Sequence, residues 1–148
     1  MRVFLGSDHA GFELKEQVAD VLRDLGHDVA DIGPYTDESV DYPDYAERVA
    51  RAVAAGEAPF GVLICGTGIG MAIAANKVPG IRAVQASDPE MARMARLHNN
   101  ANILTLPGRY IDKARAAEVL SAFLTTSFEG GRHQRRIDKI GEIEQSAE

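Results

Sequence analysis

Apolar residues fall along this chain in two alternating rhythms. Short unbroken runs, such as Val3-Phe4-Leu5 and Val62-Leu63-Ile64, have the length and composition of strands buried on both faces. Between them lie longer stretches with apolar positions three and four residues apart. Phe12, Leu14, Val18, Val21, Leu22 and Leu25 mark one amphipathic helix, closed by Gly26. Read this way, strands are predicted at 2–6, 27–32, 62–64, 81–85 and 101–106. Helices are predicted at 12–25, 44–55, 71–77, 111–125 and 132–145. A further helix opens on Ser87-Asp88-Pro89-Glu90, a capping side chain followed by a first-turn proline and an acid, and ends near Leu97. The segment from Gly33 to Pro43 is polar and bounded by prolines, a loop long enough to serve a function.

Strand and helix alternate five times with short links. That rhythm predicts an α/β fold: a Rossmann-like three-layer α-β-α sandwich with a five-stranded parallel sheet, right-handed crossovers and an extra C-terminal helix. Ligands of such sheets bind beyond the carboxyl ends of the strands, near the point where strand order reverses. Three of those ends carry polar residues: Asp8 and His9, then Cys65 with its glycines, then Ser87 and Asp88.

Composition narrows the classes. At 148 residues the chain is expected to form one domain over 1–148, with no internal repeat. A net charge of −6 and a pI near 5.2 argue against general binding to nucleic acid or to an acidic membrane surface. A single cysteine cannot close an internal disulfide. Met1-Arg2-Val3-Phe4-Leu5 runs straight into a strand pattern without the character of a signal peptide. No apolar run approaches the ~20 residues that span a bilayer. A reducing cytoplasm is the expected location.

Candidate chemistry centres on Phe60 to Met71, where the only cysteine meets three glycines at alternate positions: Cys65-Gly66-Thr67-Gly68-Ile69-Gly70. A strand feeding a glycine turn and then a helix leaves backbone N–H groups aimed into one small space, which favours an anion. The same field favours thiolate over thiol. Cys65 can equally be a small core hydrophobe, and Thr67 a simple helix cap. Gly66-Thr67-Gly68 with Asp88 about 20 residues on has the outline of a dinucleotide fingerprint, but its third glycine comes one residue early. Asp8 and His9 read either as a capped turn or as site residues. His98-Asn99-Asn100 reads either as a helix terminus, where a histidine suits the dipole, or as the place of a general acid or base. Arg132 and Arg136 share one helix face and read either as a solvated charged face or, because positive charge at a helix start opposes the dipole, as partners of an anionic ligand. Arg109, after Pro107-Gly108, joins them as a candidate. No histidine, cysteine or carboxylate set shows zinc-ligand spacing along the chain, so no metal is expected. A thiol beside an anion cradle, with histidines, an aspartate and arginines, points to proton transfer next to a carbonyl on a phosphorylated small molecule.

Ser7-Asp8-His9-Ala10-Gly11-Phe12, Asp41-Tyr42-Pro43, Ile64 to Gly70, Ala74-Ala75-Asn76-Lys77, Gly80-Ile81-Arg82-Ala83, His98-Asn99 and Glu129-Gly130-Gly131-Arg132-His133 follow one another in the chain. Together they resemble the type B ribose-5-phosphate isomerases, part of a sugar-phosphate isomerase family that includes galactose-6-phosphate isomerase subunits. The resemblance extends to about Gln145. It implies interconversion of ribose 5-phosphate and ribulose 5-phosphate through an enediolate, with no cofactor, metal or nucleotide. Cys65 would move the proton, and the backbone from Gly66 through Gly68 and Ile69 to Gly70 would hold the enediolate with Thr67 against the sugar. His98 would aid ring opening, with Asp8, Tyr42 and Asn99 on ring oxygens and hydroxyls. His9, Arg109, Arg132 and Arg136 would serve the phosphate. The family's homodimers, often dimers of dimers, share sites between chains. One branch replaces the cysteine with serine and uses a glutamate just after the last glycine. Here that position is Met71, which cannot accept a proton, so the chain fits the cysteine branch. Relatives acting on four- or six-carbon sugar phosphates share the same set, and the 33–43 loop and the surroundings of Met71 are where substrate choice is expected to lie. A non-catalytic nucleotide- or phosphate-binding module is the alternative from a different class.

Overall fold

The computed structural model describes residues 1–147. Five parallel strands form one sheet in the order β2-β1-β3-β5-β4, from β1 (Arg2–Ser7), β2 (Asp28–Asp31), β3 (Phe60–Cys65), β4 (Ala83–Gln85) and β5 (Ile103–Pro107). The helices are α1 (Phe12–Asp24), α2 (Tyr42–Ala54), α3 (Ile69–Ala75), α4 (Pro89–Asn99), α5 (Lys113–Thr125) and α6 (Arg132–Ser146). Strand order reverses between β1 and β3, which puts the carboxyl ends of those two strands at the crevice where such sheets bind ligands.

Period-two alternation along each strand divides the interior into two cores. Val62 and Ile64 of β3 join Val3, Leu5, Leu104 and Leu106 under α1, α4 and α5. Leu63 and Cys65 point the other way, to the core made with Val49 of α2 and Met71 and Ala75 of α3. Each such buried aliphatic side chain contributes about 1.5–3 kcal/mol, so the register of β3 is strongly fixed. That register decides which face the thiol occupies. α6 packs against α4 and buries His133 and Ile137 on its inner side.

Element ends differ from the predictions in ways that matter for the site. α2 begins at Tyr42 rather than Asp44, because Pro43 lies in its first turn, where a missing N–H costs nothing. Tyr42 is therefore a helical residue and not part of the preceding loop. α3 begins at Ile69, two residues early, straight from the glycine turn. α4 continues to Asn99 and stops at Asn100, whose φ of 46° is the left-handed cap of the helix. His98 and Asn99 thus sit in its last turn instead of beyond it. Among the described residues no helix is long and apolar enough to cross a membrane.

Candidate active site

The carboxyl ends of β1 and β3 are tied together by main chain. The Asp8 N–H donates to the Ile64 carbonyl at 3.1 Å, and Asp8 Oδ1 accepts the Gly11 N–H at 2.9 Å, closing the turn into α1. Asp8 is buried by this arrangement and closes the turn, but it does not cap the helix: the N-cap of α1 is Gly11, with no side-chain cap bond. His9, exposed beside it, accepts the Val40 N–H on Nδ1 at 3.2 Å, which draws the 36–40 segment towards the strand ends.

β3 delivers Cys65 to the same level. Its Sγ accepts the Gly68 N–H at 3.2 Å, a contact that strengthens when sulfur carries charge. Gly68 is the N-cap of α3 with φ of 76°, a backbone shape open mainly to glycine, and a Cβ there would stand 2.9 Å from the Leu106 carbonyl carbon. Thr67 Oγ1 accepts the Ile69 N–H at 3.1 Å, so the threonine does brace the helix entry as well as line the cleft. Two residues the sequence reading passed over hold this turn from behind. Gln85 Nε2 donates to the Thr67 carbonyl at 3.1 Å, and buried Thr105 donates to the Gly68 carbonyl at 2.7 Å. The one signal for Thr105 is a hydroxyl inside the otherwise apolar run Ile103-Leu104-Thr105-Leu106.

Two side chains cover the glycines. Arg109 donates its main-chain N–H to the Gly66 carbonyl at 3.1 Å and lays its guanidinium on that residue, where a Cβ would come within 3.0 Å of Nη1. The Tyr42 ring lies on Gly70, where a Cβ would come within 2.7 Å of the ring. The result is a cleft of about 280 Å³ lined by Asp8, His9, Tyr42, Cys65, Gly66, Thr67, Gly70 and Arg109 together with Ala10. Gly68 is buried beneath it and Ile69 faces solvent.

His98, Asn99, Arg132 and Arg136 are not among the residues lining this cleft. The His98 ring stacks on His133 with centroids 4.3 Å apart. Burial holds the His133 imidazole below its ordinary pKa, with His98 acting in the same direction against the opposing pull of Glu129. Arg132 and Arg136 are exposed on the first turns of α6, and Asn99 borders a separate, mainly apolar groove with Ile140 and Ile143. Asp88, the acid of the dinucleotide alternative, accepts the Met91 N–H at 2.9 Å as the N-cap of α4, which accounts for it structurally. No metal-ligand spacing is visible along the chain, yet the fold brings ligand atoms of His98, Glu129 and His133 within 4.8 Å of one another.

A parallel α/β sheet with a lone thiol, a glycine turn and an arginine around a small polar cleft at its carboxyl edge belongs to the class of small-molecule enzymes built at a topological switch point. Comparison with known proteins narrows that class. The chain belongs to the Ribose/Galactose Isomerase family, whose model matches residues 3–140. It is 46% identical over 144 residues to ribose-5-phosphate isomerase B of Escherichia coli (strain K12), covering 97% of each chain. The structure of Clostridium thermocellum ribose-5-phosphate isomerase B superposes with a TM-score of 0.98 at 49% identity, over 100% of both chains. The Mycoplasma genitalium ribose-5-phosphate isomerase B, solved with bound ribulose 5-phosphate, superposes with a TM-score of 0.92 at 43% identity, covering 97% of this chain and 96% of that one.

Proposed function

We propose that this protein interconverts ribose 5-phosphate and ribulose 5-phosphate through an enediolate, with Cys65 as the base. The observation that carries this reading is the thiol itself: it ends β3 inside a polar cleft, takes an N–H from the glycine turn, and has Arg109 on the same turn. In the open-chain aldose, the Cys65 thiolate takes the proton from C2, and the C2–H electrons form the C1–C2 double bond as the C1 carbonyl becomes an oxyanion. Backbone N–H groups of the 66–70 turn stabilise that charge where it develops. The thiol returns the proton to C1 while the O2 hydroxyl proton passes to O1, leaving the C2 ketone. Asp8, Thr67 and Tyr42 orient the sugar oxygens, and His9 and Arg109 draw in the phosphate.

His98, Asn99, Arg132 and Arg136 enter the reading through a second copy of the chain. Their separation from the cleft, together with the resemblance to isomerases that act as homodimers, supports a site completed across a dimer interface. There His98 would open the furanose ring, Asn99 would meet a hydroxyl, and the two arginines would complete the phosphate site. A reducing cytoplasm suits a catalytic thiol.

Isotope exchange tests the reading. Purified protein incubated with ribose 5-phosphate in D₂O is expected to place solvent deuterium at C1 of ribulose 5-phosphate, read by proton NMR. Cys65→Ala should abolish exchange while retaining sugar-phosphate binding. Full exchange in that variant would remove the thiol from the reaction. A panel of four-, five- and six-carbon sugar phosphates in the same assay decides substrate size.

A further inference from the structure

His98, Glu129 and His133 form a side-chain cluster that the reaction proposed above uses only in part. His98 lies in the last turn of α4, whereas Glu129 and His133 stand four residues apart across the Gly130-Gly131 turn. The Glu129 N–H donates to the Leu97 carbonyl at 3.0 Å and Arg96 Nε donates to the Thr126 carbonyl at 3.2 Å, so the segment before α6 is pinned to the end of α4. The two imidazole rings stack with planes only 16° apart. His133 is the unexplained member. It is 6% exposed, and its Nε2 is buried with no hydrogen-bond partner. The Glu129 carboxylate stands 4.0 Å from that nitrogen, beyond hydrogen-bond reach. A buried polar atom left in this way is destabilising, a cost recovered when the nitrogen lone pair is given to a cation.

Two imidazoles and one carboxylate with open positions are a donor set suited to zinc. Zinc bonds of about 2.0–2.2 Å place tetrahedral donors roughly 3.3 Å apart. The ligand atoms lie within 4.8 Å of one another, and the stacked rings aim their lone pairs in parallel, so closure requires half-buried His98 to turn off the stack and Glu129, whose side chain is 56% exposed, to turn inward. Cys65 is not in the set. We propose that His98, Glu129 and His133 form a reversible Zn²⁺ site, with water completing the coordination. Arg132 and Arg136 act electrostatically on His133 and oppose added positive charge, which makes the site reversible rather than permanent. One consequence rests on the function proposed above: zinc claims the His98 lone pair, withdraws that ring from furanose opening, and so inhibits turnover.

The test uses tag-free, metal-stripped, full-length protein titrated with Co²⁺ or Zn²⁺ alone, followed by cobalt absorption and by calorimetry. Saturation at one ion per chain is expected, with no thiolate-to-cobalt charge-transfer band. Binding should weaken at least about tenfold in Glu129→Gln and in His133→Asn, since even outer-shell partners of a metal are worth 10–100-fold. Glu129 is exposed, so Glu129→Gln keeps the test valid if His133→Asn does not fold. Absence of saturable binding, unchanged binding in Glu129→Gln, or a thiolate band placing the ion on Cys65 would overturn the site. Turnover is assayed separately at saturating zinc, with inhibition expected in the wild type and relief in Glu129→Gln. Full turnover with zinc bound would remove His98 from the reaction and leave the metal site standing.

Discussion

Replacing Gly11 with alanine asks whether Cys65 is positioned by contact between backbones. Gly11 precedes α1 with φ of −96° and ψ of −1°, a conformation alanine tolerates, so the substitution adds little backbone strain. Space is what it lacks. The new methyl carbon would stand 2.5 Å from the Ile64 carbonyl oxygen and 2.7 Å from its carbon, both main-chain atoms that cannot swing aside. Relief requires α1 and the end of β3 to part by roughly half an ångström, an overpacking strain worth about 1–3 kcal/mol. The Asp8 N–H bond to the same carbonyl moves with it. For a chain of this size that loss corresponds to a fall in Tm of roughly 3–10 °C. Ile64 is bonded directly to Cys65, and a misplacement of about 1 Å at a reacting group costs about 100-fold in rate. Half that displacement is expected to cost about tenfold in kcat/KM. Thermal unfolding by circular dichroism and steady-state kinetics on ribose 5-phosphate measure both. Gly141→Ala is the matched control: it lies inside α6 with open space around its Cβ position, so the same substitution should stabilise by about 0.5–1 kcal/mol. An unchanged Tm and full kcat/KM in Gly11→Ala would refute the backbone-contact argument.

Two further substitutions probe the supports around the cleft. Lys15 is wholly buried and bonds Asp31 at 2.6 Å and Glu16 at 2.9 Å, while Asp31 also accepts the Gly33 N–H at 2.9 Å. Lys15→Met should lower unfolding stability in urea by about 2–4 kcal/mol, somewhat under the full loss for a buried pair because Asp31 keeps partial exposure. A change near zero would mean the ammonium contributes nothing to anchoring the end of β2. Thr105→Val removes the hydroxyl bonded to the Gly68 carbonyl at nearly constant volume and should cost about 1 kcal/mol, since the Ala72 N–H still satisfies that oxygen. A loss well beyond that in the same titration would show that the turn depends on Thr105 alone.

The alternation of β1 through α5 was legible because each strand is a short apolar run with a periodic helix behind it. Helix starts were less so. Pro43 reads as the end of a loop in sequence, but it occupies the first turn of α2, and only tertiary packing of Tyr42 onto Gly70 distinguishes the two. The polar residues of the cleft were visible because they follow strands directly: Asp8 and His9 after β1, Cys65 to Gly70 at the end of β3, Arg109 after β5. Gln85 was not, because its role is a single side-chain bond to the Thr67 carbonyl from a neighbouring strand. Nor was the approach of Glu129 and His133 to His98. It depends on a loop held to α4 by the Leu97 carbonyl and Arg96, contacts that leave no spacing in the sequence.

At its three glycines the floor of the cleft is bare main chain, with almost no room for added side chains. Gly66 lies beneath Arg109, Gly68 against Leu106, and Gly70 beneath Tyr42. Substitution within this floor is therefore a poor route for adjusting to a longer or shorter sugar. Room for change lies at the rim, at Tyr42 and in the loop whose Val40 N–H bonds His9. The chemistry is held in a crowded bed while its reach is left open to change.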